Sequence, residues 1–305
     1  MEGFVPIILT IMTAATPLVF AAIGELIVEK SGVLNLGIEG MMLVGAIAAF
    51  ATATATGSAT LAILVGMLAG MGMALIFGFL TLSLLANQVA TGLALTIFGI
   101  GLSALVGNSF VGIAYEGLPK GIPGLSDLPV VGKLLFGHDI LVYLSIVVVI
   151  AVSYFLSRTR AGMILRAVGT NHDAAHSIGY NVVGIRYMAV LFGGAMAGLG
   201  GAYISLAYTP MWAEEMTAGR GWIALALVVF STWKPWRAFL GAYLFGGITI
   251  IQLNIQGFGV NIESQYLSML PYLATIAVLV IISRDKALVK MNAPACLGKI
   301  FHATS

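Results

Sequence analysis

The sequence predicts an all-α protein that crosses a lipid bilayer about nine times, with its N-terminus outside and its C-terminus inside. Three observations predict it. Of the 305 residues, 60% are hydrophobic and only 9% charged, against about 25% charged in a soluble domain, and the mean hydropathy is +1.04. A soluble globule of this length could not hide so much apolar surface, so lipid is the solvent for most of the chain. The apolar residues come in runs near the roughly 20 residues a crossing helix needs. The basic residues are placed unevenly between the connecting segments.

In chain order, the first span is expected from about Val5 to Gly24, interrupted only by Pro17, which a packed membrane helix tolerates. The opening MEGFVPII lacks the basic start of a signal peptide and is read as the beginning of that span. Glu25 to Gly40 holds three acids, one base and three glycines. It is too polar to face lipid and too apolar for an ordinary loop. Apolar runs resume at about Met41–Thr56, Leu61–Leu82 and Val89–Gly107. The first of these is rich in Ala and Thr and suits a buried or broken helix. Asn108 to Asp139, with Pro119, Pro123, Pro129 and six glycines, reads as an irregular external loop.

A fifth span is expected at Ile140–Leu156 and a sixth at Tyr187–Ala207. In the sixth, Gly194, Gly198 and Ala202 recur at four-residue spacing and allow close helix packing. Shorter runs at Trp222–Trp233, Ala238–Gln252 and Leu270–Ser283 complete nine. With this arrangement Lys30, Arg158, Arg160, Arg166, Arg186, Lys234, Arg237, Arg284, Lys286, Lys290 and Lys299 lie inside, and only Lys120, Lys133 and Arg220 outside. The positive-inside rule then sets the orientation.

The longest polar interruption, residues 157–186, carries four of the fourteen basic residues. Within it Asp173-Ala174-Ala175-His176 runs into Ile178-Gly179, a short helix with Asn171 or Asp173 as its N-terminal cap and Gly179 as its stop. A solvated loop would explain the charges but not the caps.

Several chemistries are excluded. There is no GxxxxGK[ST] phosphate loop, GxSxG or HExxH. His138, His172, His176 and His302 are not clustered for metal, and the single Cys296 has no partner for an internal disulfide. Basic residues follow the membrane face rather than an aromatic-interleaved stripe, so nucleic acid is not an expected partner. Span interiors are nearly free of ionisable residues, so ion-coupled transport is disfavoured. Any charge at depth is expected from Glu25, Glu29 or Glu39.

Two segments resemble a known family. Gly24-Glu25-Leu26, with Glu29-Lys30-Ser31-Gly32-Val33-Leu34-Asn35-Leu36-Gly37-Ile38-Glu39-Gly40, is similar to the signature of permease subunits of ABC importers for nucleosides and simple sugars. That group includes ribose and branched-chain amino-acid permeases. Leu165-Arg166-Ala167-Val168-Gly169-Thr170-Asn171, Ala174-Ala175 and Gly179-Tyr180-Asn181-Val182 resemble the cytoplasmic coupling segment of the same permeases, and Asn87-Gln88-Val89 with Gly92 resembles a further family element. His176-Ser177 departs from the basic residue often found after the paired alanines, which puts one salt bridge to the ATPase in doubt.

The resemblance implies a single permease domain over residues 1–305 in the bacterial cytoplasmic membrane, carrying no cofactor of its own. ATP would be bound by a separate ABC ATPase with two nucleotide-binding halves. The implied partners are that ATPase, a second and longer permease forming a heterodimer, and an extracytoplasmic substrate-binding lipoprotein. Nucleosides are the expected solute. Simple sugars, branched-chain amino acids and an ion-coupled carrier are the alternatives. ATPase coupling would fall to Arg166, Asn171, Asp173, Ala174, Ala175, His176 and Gly179, although topology alone also accounts for Arg166. The path or gate would involve Asn35, Glu39, Glu25, Asn87 and Gln88. The plainer readings are a simple turn at Glu25–Gly40 and polar contacts between helices at Asn87 and Gln88. Trp212, Glu214, Glu215 and Arg220 are expected in a short outer loop facing a binding protein, with Trp212, Trp222, Trp233 and Trp236 also suited to interfacial anchoring.

Overall fold

A computed structural model describes residues 4–119, 121, 136–257 and 292–302, with isolated positions between 266 and 280. Ten helices follow in order: α1 (Phe4–Lys30), α2 (Ile38–Thr56), α3 (Ala59–Gly78), α4 (Gln88–Gly107), α5 (Ile140–Arg158), α6 (Arg160–Thr170), α7 (His172–Ser177), α8 (Val182–Tyr203), α9 (Arg220–Phe230) and α10 (Pro235–Gly257). Wider helical turns extend α3 through Ser83 and α8 through Tyr208. Among the described residues there is no strand; isolated bridges join Val111 to Trp212 and Ala114 to Met211.

Among the described residues seven helices are long and apolar enough to cross a membrane. They correspond to seven of the nine expected spans; the ninth run, at Leu270–Ser283, lies largely outside the described residues, as does most of the external loop after Pro119. α8 is the hub, packed against α1, α2 and α3. Its small residues permit this. A Cβ on Gly45 of α2 would lie 2.5 Å from the Gly198 Cα, and one on Gly201 would run into the Met42 carbonyl. The backbones touch where side chains would separate them, as the spacing of Gly194, Gly198 and Ala202 predicts. α2 is continuous and mostly buried.

Two expectations need correction. α1 does not stop at Gly24 but runs on to Lys30, placing Glu25 and Glu29 on a helix, each 1% exposed. Each accepts one hydrogen bond there, Glu25 from the Asn35 N–H and Glu29 from Trp233 Nε1. The run at Trp222–Trp233 is not a span either. α9 has 11 residues, about 16 Å of helix against a hydrocarbon core of about 30 Å.

The depth of α9 follows from its neighbours. Gly221 packs against Glu39, and the next residue, Gly40, lies against Leu95 and Thr96. Thr96 is eight residues along α4 from Gln88, about 12 Å. α9 therefore starts deep in the bundle, after an irregular stretch at 209–219, and ends near Glu29, where Trp233 is bonded. α9 is thus a half-helix entered from the irregular stretch. Arg220, at the start of α9, is half-buried.

Candidate functional site: the α6–α7 segment and the α1–α2 turn

The polar segment after α5 is built from three successive caps. Thr159 Oγ1 accepts from the Gly162 N–H (3.0 Å), Asn171 Oδ1 from Ala174 (3.0 Å) and Asn181 Oδ1 from Gly184 (2.9 Å). Each starts a helix where the preceding one ends, so α6, α7 and α8 meet at sharp corners. α7 stops as its sequence predicts. Gly179 has φ +93°, its N–H donates to His176 O (2.8 Å), and Tyr180 N–H reaches back to Ala175 O (3.1 Å), closing the helix through a left-handed residue.

One face of α7, His172 and Ala175, is buried; Asp173, Ala174, His176 and Ser177 are exposed, with Ile178 73% exposed at the tip. Beside it, His176, Gly179, Tyr180, Asn181 and Phe301 line a concavity of about 310 Å³. Arg158, Arg160 and Arg166 are exposed at the same end.

A second polar constellation lies where α1 turns into α2. Glu25 Oε1 accepts from the Asn35 N–H (3.3 Å). Asn35 Oδ1 accepts from the Gly37 N–H (2.9 Å) and its amide donates to Met41 Sδ (3.5 Å). Gln88 Oε1 accepts from the Leu34 N–H (2.8 Å). Glu29 Oε2 accepts from Trp233 Nε1 (2.5 Å). Glu39 terminates α9: Oε1 accepts from Thr217 Oγ1 (2.5 Å) and the Gly219 N–H (2.8 Å), and Oε2 from the Gly221 N–H (2.5 Å). A carboxylate on a helix N-terminus satisfies donors that otherwise have no partner and complements the helix dipole. Arg220, next to this cap, donates to the Met216 and Thr217 carbonyls (both 3.2 Å) and lies 5.0 Å over the Tyr208 ring.

The turn thus brings Glu25, Asn35, Glu39 and Gln88 together in one buried polar layer, at 1%, 1%, 5% and 3% exposure. Their polar groups serve the chain itself, so Asn35 and Glu39 do not face an open path in this conformation. Two atoms of the layer, Glu25 Oε2 and Gln88 Nε2, are buried without a partner. Asn87 stands apart, exposed, capping α4 through the Ala90 N–H (3.0 Å). Trp212 is not an interfacial anchor: it is 2% exposed and packed with Ala46, Ile47 and Phe50. Trp233 is likewise internal, whereas Trp222 and Trp236 are partly exposed. Glu214 and Glu215 are exposed on the irregular stretch.

Sequence reasoning missed Thr217 and Trp233 as members of this layer, and the contact of Arg186 Nη2 with His172 Nδ1 (3.0 Å) beneath α7. Arg186 had a readable signal, being an arginine on the helix that continues into an apolar span. The others are joined to their partners only by the fold.

This is a polytopic membrane protein with a short capped helix exposed at one end and a buried polar layer in its interior. The chain belongs to the family of permease components of branched-chain amino acid transport systems, whose model matches residues 7–279. It is 40% identical over 289 residues to TsgC13 of Haloferax volcanii, an ABC permease whose name assigns it to glucose, covering 87% of this chain and 88% of that one. It is 34% identical over 288 residues to the nucleoside ABC transporter permease NupC of Lactococcus lactis, with 90% of each chain covered. It is 32% identical over 285 residues to the guanosine ABC transporter permease NupQ of Bacillus subtilis, covering 87% and 88%. No solved structure matches the chain. The protein is a multi-pass ABC transporter permease of the cytoplasmic membrane.

Proposed function

We propose that this chain forms half of the translocation path of an ATP-driven, binding-protein-dependent importer of nucleosides, paired with a second, longer permease. An ABC ATPase with two nucleotide-binding halves would supply the energy, and an extracytoplasmic lipoprotein the solute. The observation that carries the reading is α7: a six-residue helix, capped at both ends, anchored on one face and bare on the other. An exposed apolar tip such as Ile178 beside a concavity suits a groove on a partner protein. Asp173, Ala174, His176 and Ser177 provide the contact surface, Asn171 and Gly179 fix its shape, and Ala175 seats it. Arg166 adds positive charge beside them.

Glu25, Asn35, Glu39 and Gln88 act as the frame of the gate, holding the α1–α2 turn and the start of α9 in register. Asn87 fixes the start of α4. Irregular backbone at membrane depth is tolerated where protein buries it or a water-filled cavity meets it, and 209–219, with exposed Glu214 and Glu215, is the stretch of this chain suited to line such a cavity.

Nucleosides are favoured by the two relatives named for nucleoside and guanosine transport; the relative named for glucose supports a sugar as the second reading. The test is uptake of labelled guanosine by the assembled importer in proteoliposomes, with glucose as competitor. ATP-dependent guanosine uptake unaffected by excess glucose is expected. Glucose uptake without guanosine uptake would establish the second reading. Uptake driven by a proton gradient without the ATPase would overturn both.

A further inference from the structure

Arg186, the fifth residue of α8, is 1% exposed, and among the described residues no carboxylate forms an ion pair with it. Its guanidinium is instead divided among three separate parts of the chain. Nε donates to the Ser31 carbonyl at the end of α1 (3.2 Å), Nη1 to the Lys299 carbonyl in the C-terminal segment (3.2 Å), and Nη2 meets Nδ1 of His172, the first residue of α7 (3.0 Å). With a permanently protonated guanidinium, that contact requires His172 to offer Nδ1 as an acceptor, so the ring must be neutral.

The packing around this arginine is close. Gly32, at φ +88°, leaves room for it: a Cβ there would be 2.9 Å from Nη2 and 3.3 Å from the Gly169 Cα. The C-terminal segment threads the same junction, with Cys296 N–H donating to Gly169 O (2.9 Å), Gly298 N–H to Gly32 O (3.1 Å) and Lys30 Nζ to Asn292 O (2.7 Å). Phe301 packs against both His172, at a tilt, and His176, edge-on, at 5.2 and 5.3 Å between ring centres.

We propose that Arg186 is the positioning residue that delivers movement of α7 to the gate, by binding His172 and the Ser31 carbonyl with one rigid group. The inference rests on the reading of α7 as the ATPase contact. A buried cation with only neutral acceptors loses heavily if one of them withdraws, so displacement of His172 carries Arg186, and Arg186 carries the start of the α1–α2 turn. From there Asn35 and Glu39 extend the link to the N-terminus of α9. Lysine could not substitute, because a single ammonium lacks the planar fork that reaches three divergent acceptors.

The same contact makes coupling pH-sensitive. Burial first, then the nearby Arg186, hold the His172 imidazole below 6.5; Asp173, whose Oδ1 is 3.7 Å from Nε2, opposes this and Lys299 reinforces it. Phe301 separates His172 from His176. The link is intact above the ordinary imidazole range and is lost as pH falls through the depressed value.

The experiment compares uptake with ATP hydrolysis in the assembled importer, with Ala174→Cys crosslinking to the ATPase as a docking control. His172→Leu and Arg186→Lys should each lower the ratio of uptake to hydrolysis by about tenfold while the crosslink persists. His172→Asn, which keeps an acceptor at the Nδ1 position, should restore most of the ratio and remove its decline at acid pH. An unchanged ratio in His172→Leu with the crosslink present, or failure of His172→Asn to restore it, overturns the role of Arg186. Absence of the crosslink from the assembled importer that carries Ala174→Cys alone overturns the coupling reading itself.

Discussion

Replacing Glu39 by Gln tests whether a carboxylate holds the half-helix α9 in place. The native side chain accepts three hydrogen bonds, one from Thr217 and two from the backbone N–H groups of Gly219 and Gly221. Glutamine keeps one oxygen and turns an NH₂ toward a donor. The loss comprises a charge-assisted bond, about 1.5–3 kcal/mol, and a buried N–H left without a partner, about 1–3 kcal/mol. The helix-dipole contribution adds about 0.3–1 kcal/mol. These effects overlap, and a net cost of about 3 kcal/mol corresponds to a factor of about 150 in a local opening equilibrium. Hydrogen–deuterium exchange of the assembled importer reads this directly. Amides of Gly219–Ile223 should exchange about two orders of magnitude faster, while the start of α8 stays protected. Unchanged protection at α9 would refute the assignment of Glu39 as its anchor.

Two further outcomes follow from the same geometry. Trp233→Phe removes the donor to Glu29 Oε2 and should destabilise the purified chain by about 1–3 kcal/mol, read as a lower thermal midpoint; adding Glu29→Leu should recover part of the loss, because the carboxylate no longer lies buried without its partner. Asn171→Ala deletes the cap of α7, worth about 1 kcal/mol, and should weaken ATPase co-purification about fivefold, whereas Asn171→Asp should retain it.

Local rules made much of this legible. The apolar runs set most of the spans, the glycine spacing of α8 foretold backbone contact, and Asn171 and Gly179 marked both ends of α7. What escaped the sequence was long-range. Glu25 and Glu29 looked like loop residues because a carboxylate on an apolar helix is costly until a partner is known, and Trp233 lies 204 residues from Glu29. Glu39 and Gly221 are 182 apart, so nothing local to the run at Trp222–Trp233 shows that its helix begins deep in the bundle. Arg186 was counted as a marker of sidedness, whereas its contacts with Ser31 and Lys299 span 155 and 113 residues.

The seat of Glu39 on α9 also bears on what can bind there. An open helix N-terminus at that depth would be a ready site for a phosphate or carboxylate. Here the chain supplies its own anion, occupying the Gly219 and Gly221 N–H groups and quenching the positive end of the helix. A phosphorylated group would find these two N–H groups already taken by a carboxylate. The anchor of α9 therefore leaves this helix N-terminus with no vacant N–H pair for an outside anion.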